Sequence, residues 1–169
     1  MGILIKPVDS VQEISVVSDL AYKIWNAHYV SIIGQAQIDY MLEKYQSREA
    51  ISRQINEENY EYFLVSSALI PVEYFAIIEK PAEMFLSKIY VLESERGKGF
   101  GRIAINFLLS RCRAKNLKYI ILTVNKYNLN TITAYEKMGF EKYGEIVADI
   151  GSGYVMDDIM MRLTVEPYS

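Results

Sequence analysis

The stretch "ESERGKGFGR", residues 93–102, decides the fold because it joins two apolar segments. It follows "FLSKIYVL" (85–92) and leads into "IAINFLL" (103–109). Three glycines and three cations, Arg96, Lys98 and Arg102, occupy these ten positions. This pattern predicts a flexible, basic turn between a strand and a helix.

The segments that follow the turn complete a β-α-β unit. A helix is predicted from about Phe100 to Lys115, because its apolar residues recur at helical spacing and form a stripe that packs on a sheet. The stripe consists of Phe100, Ile103, Ala104, Phe107, Leu108 and Cys112. "YIILTV" (119–124) shows almost no polar alternation, which predicts a strand covered on both faces. The turn therefore lies at the carboxyl end of one parallel strand and at the start of the crossover helix.

A turn in this position is suited to bind an anion. The first turn of a helix has up to four N–H groups without internal partners, and its macrodipole adds partial positive charge. Glycines let a ligand approach the backbone, and the three cations add mobile charge. We therefore expect a phosphate site, most naturally for a diphosphate. A G-x-G-x-x-G pattern from Gly97 fails because Arg102 stands at its third glycine, and no G-x-x-x-x-G-K-[ST] motif is present.

The remaining elements predict a mixed α/β sheet in a single domain, residues 1–169. "ILIKPV" (3–8) is predicted to be a short first strand. Two strand-like runs are expected to be separated by a turn that contains Pro71. The other predicted elements are helices at about 11–30, 35–45 and 47–58, a short helix from Asn128 to Gly139, and last strands at about 140–148 and 154–163.

Composition narrows the functional class. The 169 residues are 51% hydrophobic, enough for a core, yet no run is long enough for a membrane helix. A single cysteine and the lack of a recognisable signal peptide predict a cytoplasmic protein. The net charge of −3 argues against a nucleic-acid partner, and no metal site is predicted.

Two motifs in the right order and spacing carry a family resemblance. The first is R-x-x-G-x-G, formed by Arg96, Gly99 and Gly101. The second lies in "NKYNLNTITAYEKMGFEKYGE" (125–145), where Asn128 precedes Tyr135 by seven residues and Glu-Lys-x-Gly-Phe follows. The sequence resembles the GNAT superfamily of N-acetyltransferases, well over about residues 60–145 and loosely in the N-terminal helices.

The resemblance implies a GNAT-type acyl-CoA N-acyltransferase fold, a mixed sheet with a splayed parallel pair and N-terminal helices. It implies acetyl-CoA as cosubstrate, with its arm inserted between "SKIYVL" and "YIILTV". One N–H of the segment 90–92 would hold the oxyanion, and Tyr135 would be the general acid. The residues implied to contact the cosubstrate are Tyr90, Val91, Leu92, Arg96, Gly97, Lys98, Gly99, Phe100, Gly101, Arg102, Asn125 and Asn128.

The acceptor and the general base stay open at this stage. The alternatives for the base are an ordered water chain or one of the side chains His28, Glu73, Glu79, Asp157 and Asp158. The expected acceptor is a small-molecule amine, with a polyamine as one candidate, and the residues assigned to it are Trp25, His28, Tyr29 and Asp157. The alternative functions are a protein or peptide N-acetyltransferase of the same fold and a non-catalytic CoA-binding sensor. The oligomeric state is open, a homodimer being the commonest form among soluble oligomers.

Overall fold

The structure is a computed structural model that describes residues 2–167. The chain divides into two compact units. The first comprises Met1–Ile78 and Lys88–Ile103, and the second comprises Glu79–Ser87 and Ala104–Ser169. That the whole chain acts as one domain stays a prediction.

The first unit begins with a strand and four helices. Further strands follow, and the strands of this unit are adjacent in sequence order. These elements are β1 (Ile3–Pro7), α1 (Val11–His28), α2 (Val30–Ile33), α3 (Gln35–Tyr45), α4 (Arg48–Glu57), β2 (Glu61–Ser67), β3 (Ile70–Glu79) and the end of β4 (Glu83–Val91). The strand order in this unit is β1-β2-β3-β4. Helix α1 starts at a capping box in which the Ser10 hydroxyl accepts the Glu13 N–H at 3.1 Å and the Glu13 carboxylate accepts the Ser10 N–H.

The turn between β2 and β3 differs from the prediction. Ala68 and Leu69 form it with positive φ angles of 49° and 69°. Pro71 instead lies within β3, where it pairs with Ser66 beside a bulge in the ladder. The predicted turn at Pro71 is therefore wrong, because a bulge tolerates a residue without an N–H.

The second unit contains the start of β4, most of α5 (Phe100–Ala114), β5 (Tyr119–Asn125), α6 (Leu129–Lys137), β6 (Glu141–Gly151) and β7 (Tyr154–Thr164). Its strand order is β4-β5-β7-β6. Strands β4 and β5 are parallel, and their ladder runs from Glu83–Tyr119 to Phe85–Ile121. Among residues 2–167, the ladder between β4 and β5 contains no pair beyond Phe85–Ile121, although Ser87 and Thr123 belong to the same unit. The predicted mixed α/β fold, with its parallel pair and N-terminal helices, is confirmed.

Two details of burial in this part of the chain depart from expectation. Strand β5 is not covered on both faces: Ile120, Leu122 and Val124 are buried, whereas Thr123 is exposed. In α5 the buried stripe includes Ile105, while Ile103 and Phe107 are only half-buried. Phe100, Ala104, Leu108 and Cys112 are buried as predicted. Among residues 2–167, no helix combines the length and the apolar character needed to cross a bilayer.

The core of the first unit contains an unpaired acid. Glu73 on β3 is 0% exposed, and neither oxygen of its carboxyl has a hydrogen-bond partner in the described chain. Burial raises the pKa of this carboxyl to about 8. The folded state therefore keeps a proton that the unfolded chain loses near its ordinary pKa of about 4.3.

We expect Glu73→Gln to change how stability depends on pH. In the wild type, the Glu73 carboxyl holds a proton in the folded state that it loses in the unfolded state. The free energy of unfolding therefore falls as pH rises from about 4.5 to about 8. The free energy of unfolding of the variant minus that of the wild type should therefore rise by roughly 1.4 kcal/mol for each pH unit in this window. Urea denaturation at several pH values measures it. Glu61→Gln, which alters an exposed acid on β2, is the control, and equal slopes for the two variants would contradict the assignment.

Candidate functional site

The glycine turn is open to solvent. Gly97 and Gly99 have φ angles of 78° and 89°, and a Cβ added at either would meet no atom within 4 Å. Helix α5 begins directly after them, and the Ile103 N–H donates to the Gly99 carbonyl at 3.0 Å. By helix geometry, the amides of residues 100–102 precede this first helical bond and have no carbonyl one turn back. The turn therefore has the exposed backbone that an anion site requires.

The three cations of the turn are exposed, and two of them have partners. Lys98 forms an ion pair with Glu95 at 3.1 Å. The Arg96 guanidinium lies 2.8 Å from Nδ1 of His28, the last residue of α1. Because arginine only donates, Nδ1 accepts this bond and the ring proton lies on Nε2. His28, which was predicted to contact the acceptor, thus contacts Arg96, which was predicted to contact the diphosphate of the cosubstrate.

The backbone at the end of β4 selects one amide among the three predicted oxyanion donors. The Leu92 N–H donates to the Val72 carbonyl of β3 at 2.9 Å. Because successive amides of an extended chain point to opposite sides, the Val91 N–H points away from β3. Val91 is therefore the residue of this segment whose amide is directed to the other edge of β4.

An aromatic cluster joins the end of α1 to β4. The Trp25 ring lies 4.6 Å from Tyr29 and 5.4 Å from Tyr90 between centroids, and Tyr90 lies 5.5 Å from Tyr74. His28 contacts the edge of Tyr29 at 4.6 Å. The structure thus brings the acceptor residues predicted on α1 into contact with Tyr90, which was predicted to contact the cosubstrate. Such aromatic faces are suited to cations.

Sequence reasoning missed a buried lysine beneath this cluster. Lys88, two residues before Tyr90, is 6% exposed and donates to the Tyr45 carbonyl at 2.7 Å and to Gln54 Oε1 at 2.9 Å. Its ammonium also contacts the hydroxyl of Tyr62. Burial lowers the pKa of Lys88 to about 7. Lys88 lies two residues from both Leu86 and Tyr90, so the three side chains share one face of β4, which is a weak signal that Lys88 faces the core.

Two predicted site residues of the second unit are buried at α6. Asn128 immediately precedes α6, and Tyr135 lies two turns later; they are 3% and 8% exposed. The Tyr135 ring packs against Phe140 at 5.4 Å. Asn125 ends β5, where its side chain accepts the Tyr127 N–H at 2.9 Å. That Asn128 and Tyr135 point the same way stays a prediction, which rests on their spacing of seven residues.

The remaining acids differ in their surroundings. Glu79 is exposed and pairs with Lys115 at 3.0 Å. Asp157 is half-buried and forms an ion pair with Lys126. Asp158 is buried, and burial raises the pKa of its carboxyl. In the part of the chain that the structure describes, no group of three or more His, Cys, Asp or Glu side chains is placed to hold a metal ion.

Comparison with known proteins identifies the family. Residues 21–140 match the acetyltransferase (GNAT) family. The matched range includes the glycine turn, Asn128 and Tyr135. The chain belongs to this family. The GNAT match also includes the N-terminal helices from residue 21, which resembled the family only loosely, and with them the aromatic residues at the end of α1.

Individual GNAT relatives are more distant. A curated L-methionine sulfoximine/L-methionine sulfone acetyltransferase of Pseudomonas paraeruginosa is 30% identical over 81 residues. That match covers 47% of this chain and 46% of the relative, so the chain spans about half the length of the curated relative it matches. The PaiA N-acetyltransferase of Thermoplasma acidophilum, solved with coenzyme A, has a TM-score of 0.79 and 17% identity, and the alignment covers 97% of this chain and 99% of that one. A spermidine N-acetyltransferase SpeG variant from Vibrio cholerae has a TM-score of 0.66 and 21% identity, with coverage of 96% and 93%.

We expect His28→Ala to weaken the binding of coenzyme A by several-fold, because the guanidinium of Arg96 loses the acceptor that holds it. His28→Asn should retain most of the affinity, since its amide oxygen can accept the same bond. Isothermal titration with coenzyme A and with pantetheine, which lacks the diphosphate, measures the effect. Equal losses for both ligands, or no loss for coenzyme A, would contradict a role of His28 through Arg96.

Proposed function

We propose that this protein transfers an acetyl group from acetyl-CoA to a primary amine of a small molecule. The observation that carries the proposal is the open glycine turn at the start of α5, with its free first-turn amides and exposed cations. The residues that would hold the diphosphate are Arg96, Gly97, Lys98, Gly99, Phe100, Gly101 and Arg102. The cytoplasmic location, the homodimer and the single domain over residues 1–169 stay predictions.

The end of β4 would bind the thioester arm as a neighbouring strand does. Tyr90, Val91 and Leu92 form this segment, and the Leu92 amide is already bonded to β3. The Val91 amide is therefore the donor that we assign to the thioester carbonyl oxygen. A donor fixed there stabilises the negative charge that develops when the amine attacks.

Tyr135 would act as the general acid, and Asn125 and Asn128 would contact the arm. As the C–N bond forms and the C–S bond breaks, the sulfur leaves with the electron pair and takes a proton from the phenol. The amine nitrogen gives up one proton to the general base, which is a side chain or an ordered water chain, and a proton from solvent restores the phenol. The thiol has an ordinary pKa of about 8.5 and a phenol about 10, so the transfer is only mildly uphill. Proton donation by a positioned side chain typically contributes about 10²–10⁴-fold to the rate.

The names of the relatives support a small amine as acceptor. One acts on L-methionine sulfoximine or sulfone and another on spermidine. The aromatic rings at the end of α1 can contact a cationic or aliphatic amine. The alternatives are a protein or peptide acceptor, or a non-catalytic protein that binds CoA as a sensor.

A thiol-release assay tests the proposal. The protein is incubated with acetyl-CoA and a panel of spermidine, L-methionine sulfone, amino sugars and peptides. Release of thiol with a small amine supports the proposed function. Release with peptides alone favours a protein-directed enzyme, and binding of CoA without release for any amine favours the sensor.

Tyr135→Phe should lower kcat by roughly 10²-fold while the dissociation constant of CoA changes little. The phenylalanine keeps the ring that packs against Phe140, so the fold should persist. Tyr127→Phe, which alters an exposed tyrosine just before α6, is the matched control and should behave as wild type. Wild-type turnover in Tyr135→Phe would overturn the assignment of the acid.

A further inference from the structure

Two adjacent aspartates on β7 occupy opposite environments. Asp157 is half-buried, and its carboxylate forms an ion pair with Lys126. The Lys126 N–H also donates to the Asp157 carbonyl at 3.1 Å. Because successive side chains of a strand point to opposite faces, Asp158 lies on the other side of the sheet. The carboxylate of Asp157 is thus paired with a cation, whereas the carboxyl of Asp158 lies on the opposite face of the sheet.

Asp158 has an incomplete set of partners. It is 7% exposed, and its Oδ1 has no hydrogen-bond partner among residues 2–167. Burial raises the pKa of Asp158, and the nearby charge of Asp157 adds to this rise, whereas the Thr123 side chain acts in the opposite direction and favours the charged form. A buried carboxylate with an unused oxygen is costly unless a cation or further donor completes its shell.

The register of the sheet places Asp158 beside the residues assigned to the reaction. On β5, Asn125 is its direct partner in the antiparallel ladder, and Thr123 pairs with Met160. Residues that face each other across an antiparallel pair lie on the same face, as do residues two apart on one strand. Asp158, Asn125 and Thr123 therefore share one face at the end of β5. Thr123 is exposed, so this face is open to solvent beside the buried carboxyl.

We infer that Asp158, with the Thr123 hydroxyl beside it, forms a subsite that binds the primary ammonium group of the acceptor. A primary ammonium supplies the missing charge and up to three hydrogen-bond donors. This inference rests on the proposed function, since it places the acceptor next to Asn125, a residue assigned to the cosubstrate. It also distinguishes Asp158 from Asp157, although both are acids on the same strand.

The subsite can be tested without knowledge of the true acceptor. NMR titration of the 169-residue chain with n-propylammonium, the simplest probe with the terminal group of a polyamine, is compared with titration by 1-propanol. The wild type should bind the ammonium in preference to the alcohol, and Asp158→Asn should weaken ammonium binding about ten-fold or more. Thr123→Val should weaken it less.

Glu145→Gln, which alters an exposed acid on the neighbouring strand β6, is the matched control and should keep the preference for ammonium. Coenzyme A binding should be unchanged in Asp158→Asn, which separates the subsite from a general disturbance of the fold. Equal ammonium binding by Asp158→Asn and the wild type would overturn the subsite, even if the wild type releases thiol. Asp158-dependent ammonium binding without thiol release for any amine would uphold the subsite and overturn the transferase function.

Discussion

The start of helix α5 is the constraint on which the rest of the structure depends. The amides of its first turn cannot be satisfied within the helix, so they need solvent or a ligand. The chain enters this turn through Gly97 and Gly99, whose positive φ angles suit residues without a Cβ. The same missing atoms leave space above the amides. The backbone conformation that reverses the chain between a strand and a helix therefore also leaves open space at the site that we propose for the diphosphate.

The end of β4 is held in place by polar groups buried under the N-terminal helices. Lys88 links β4 to the last carbonyl of α3 and to the Gln54 side chain of α4. Two residues later, Tyr90 packs against Trp25 of α1. The direction of the Val91 amide thus depends on contacts that are distant in sequence. Removal of one partner from such a network leaves the others unsatisfied, which makes this region sensitive to substitution.

Local patterns could be predicted from the sequence, whereas long-range partners could not. The glycine turn, the stripe of α5 and the spacing of Asn128 and Tyr135 are properties of short segments. The structure places Gly97 and Gly99 before α5, buries four of the six residues of the stripe, and buries both Asn128 and Tyr135. The apolar run of β5 does not reveal which of its faces is covered, so the exposure of Thr123 was missed. The turn at Ala68 and Leu69 contains no glycine, the residue that usually indicates positive φ angles, so the sequence does not predict it. The burial of Lys88 and Glu73 depends on neighbours from other elements, about which neither residue type gives information.

Access to solvent, rather than the pKa of the carboxyl, separates the two buried acids Asp158 and Glu73 as candidates for ligand binding. Burial raises the pKa of both Glu73 and Asp158, so this property does not separate them. Glu73 is 0% exposed in the middle of β3, and neither oxygen has a partner in the described chain. Asp158 has a hydroxyl beside it from Thr123, which is exposed, and it lies opposite Asn125 at the end of a strand. In our proposal a ligand replaces solvent beside Asp158. Glu73 has no such access, and its raised pKa of about 8 lowers the stability of the fold as pH rises toward that value.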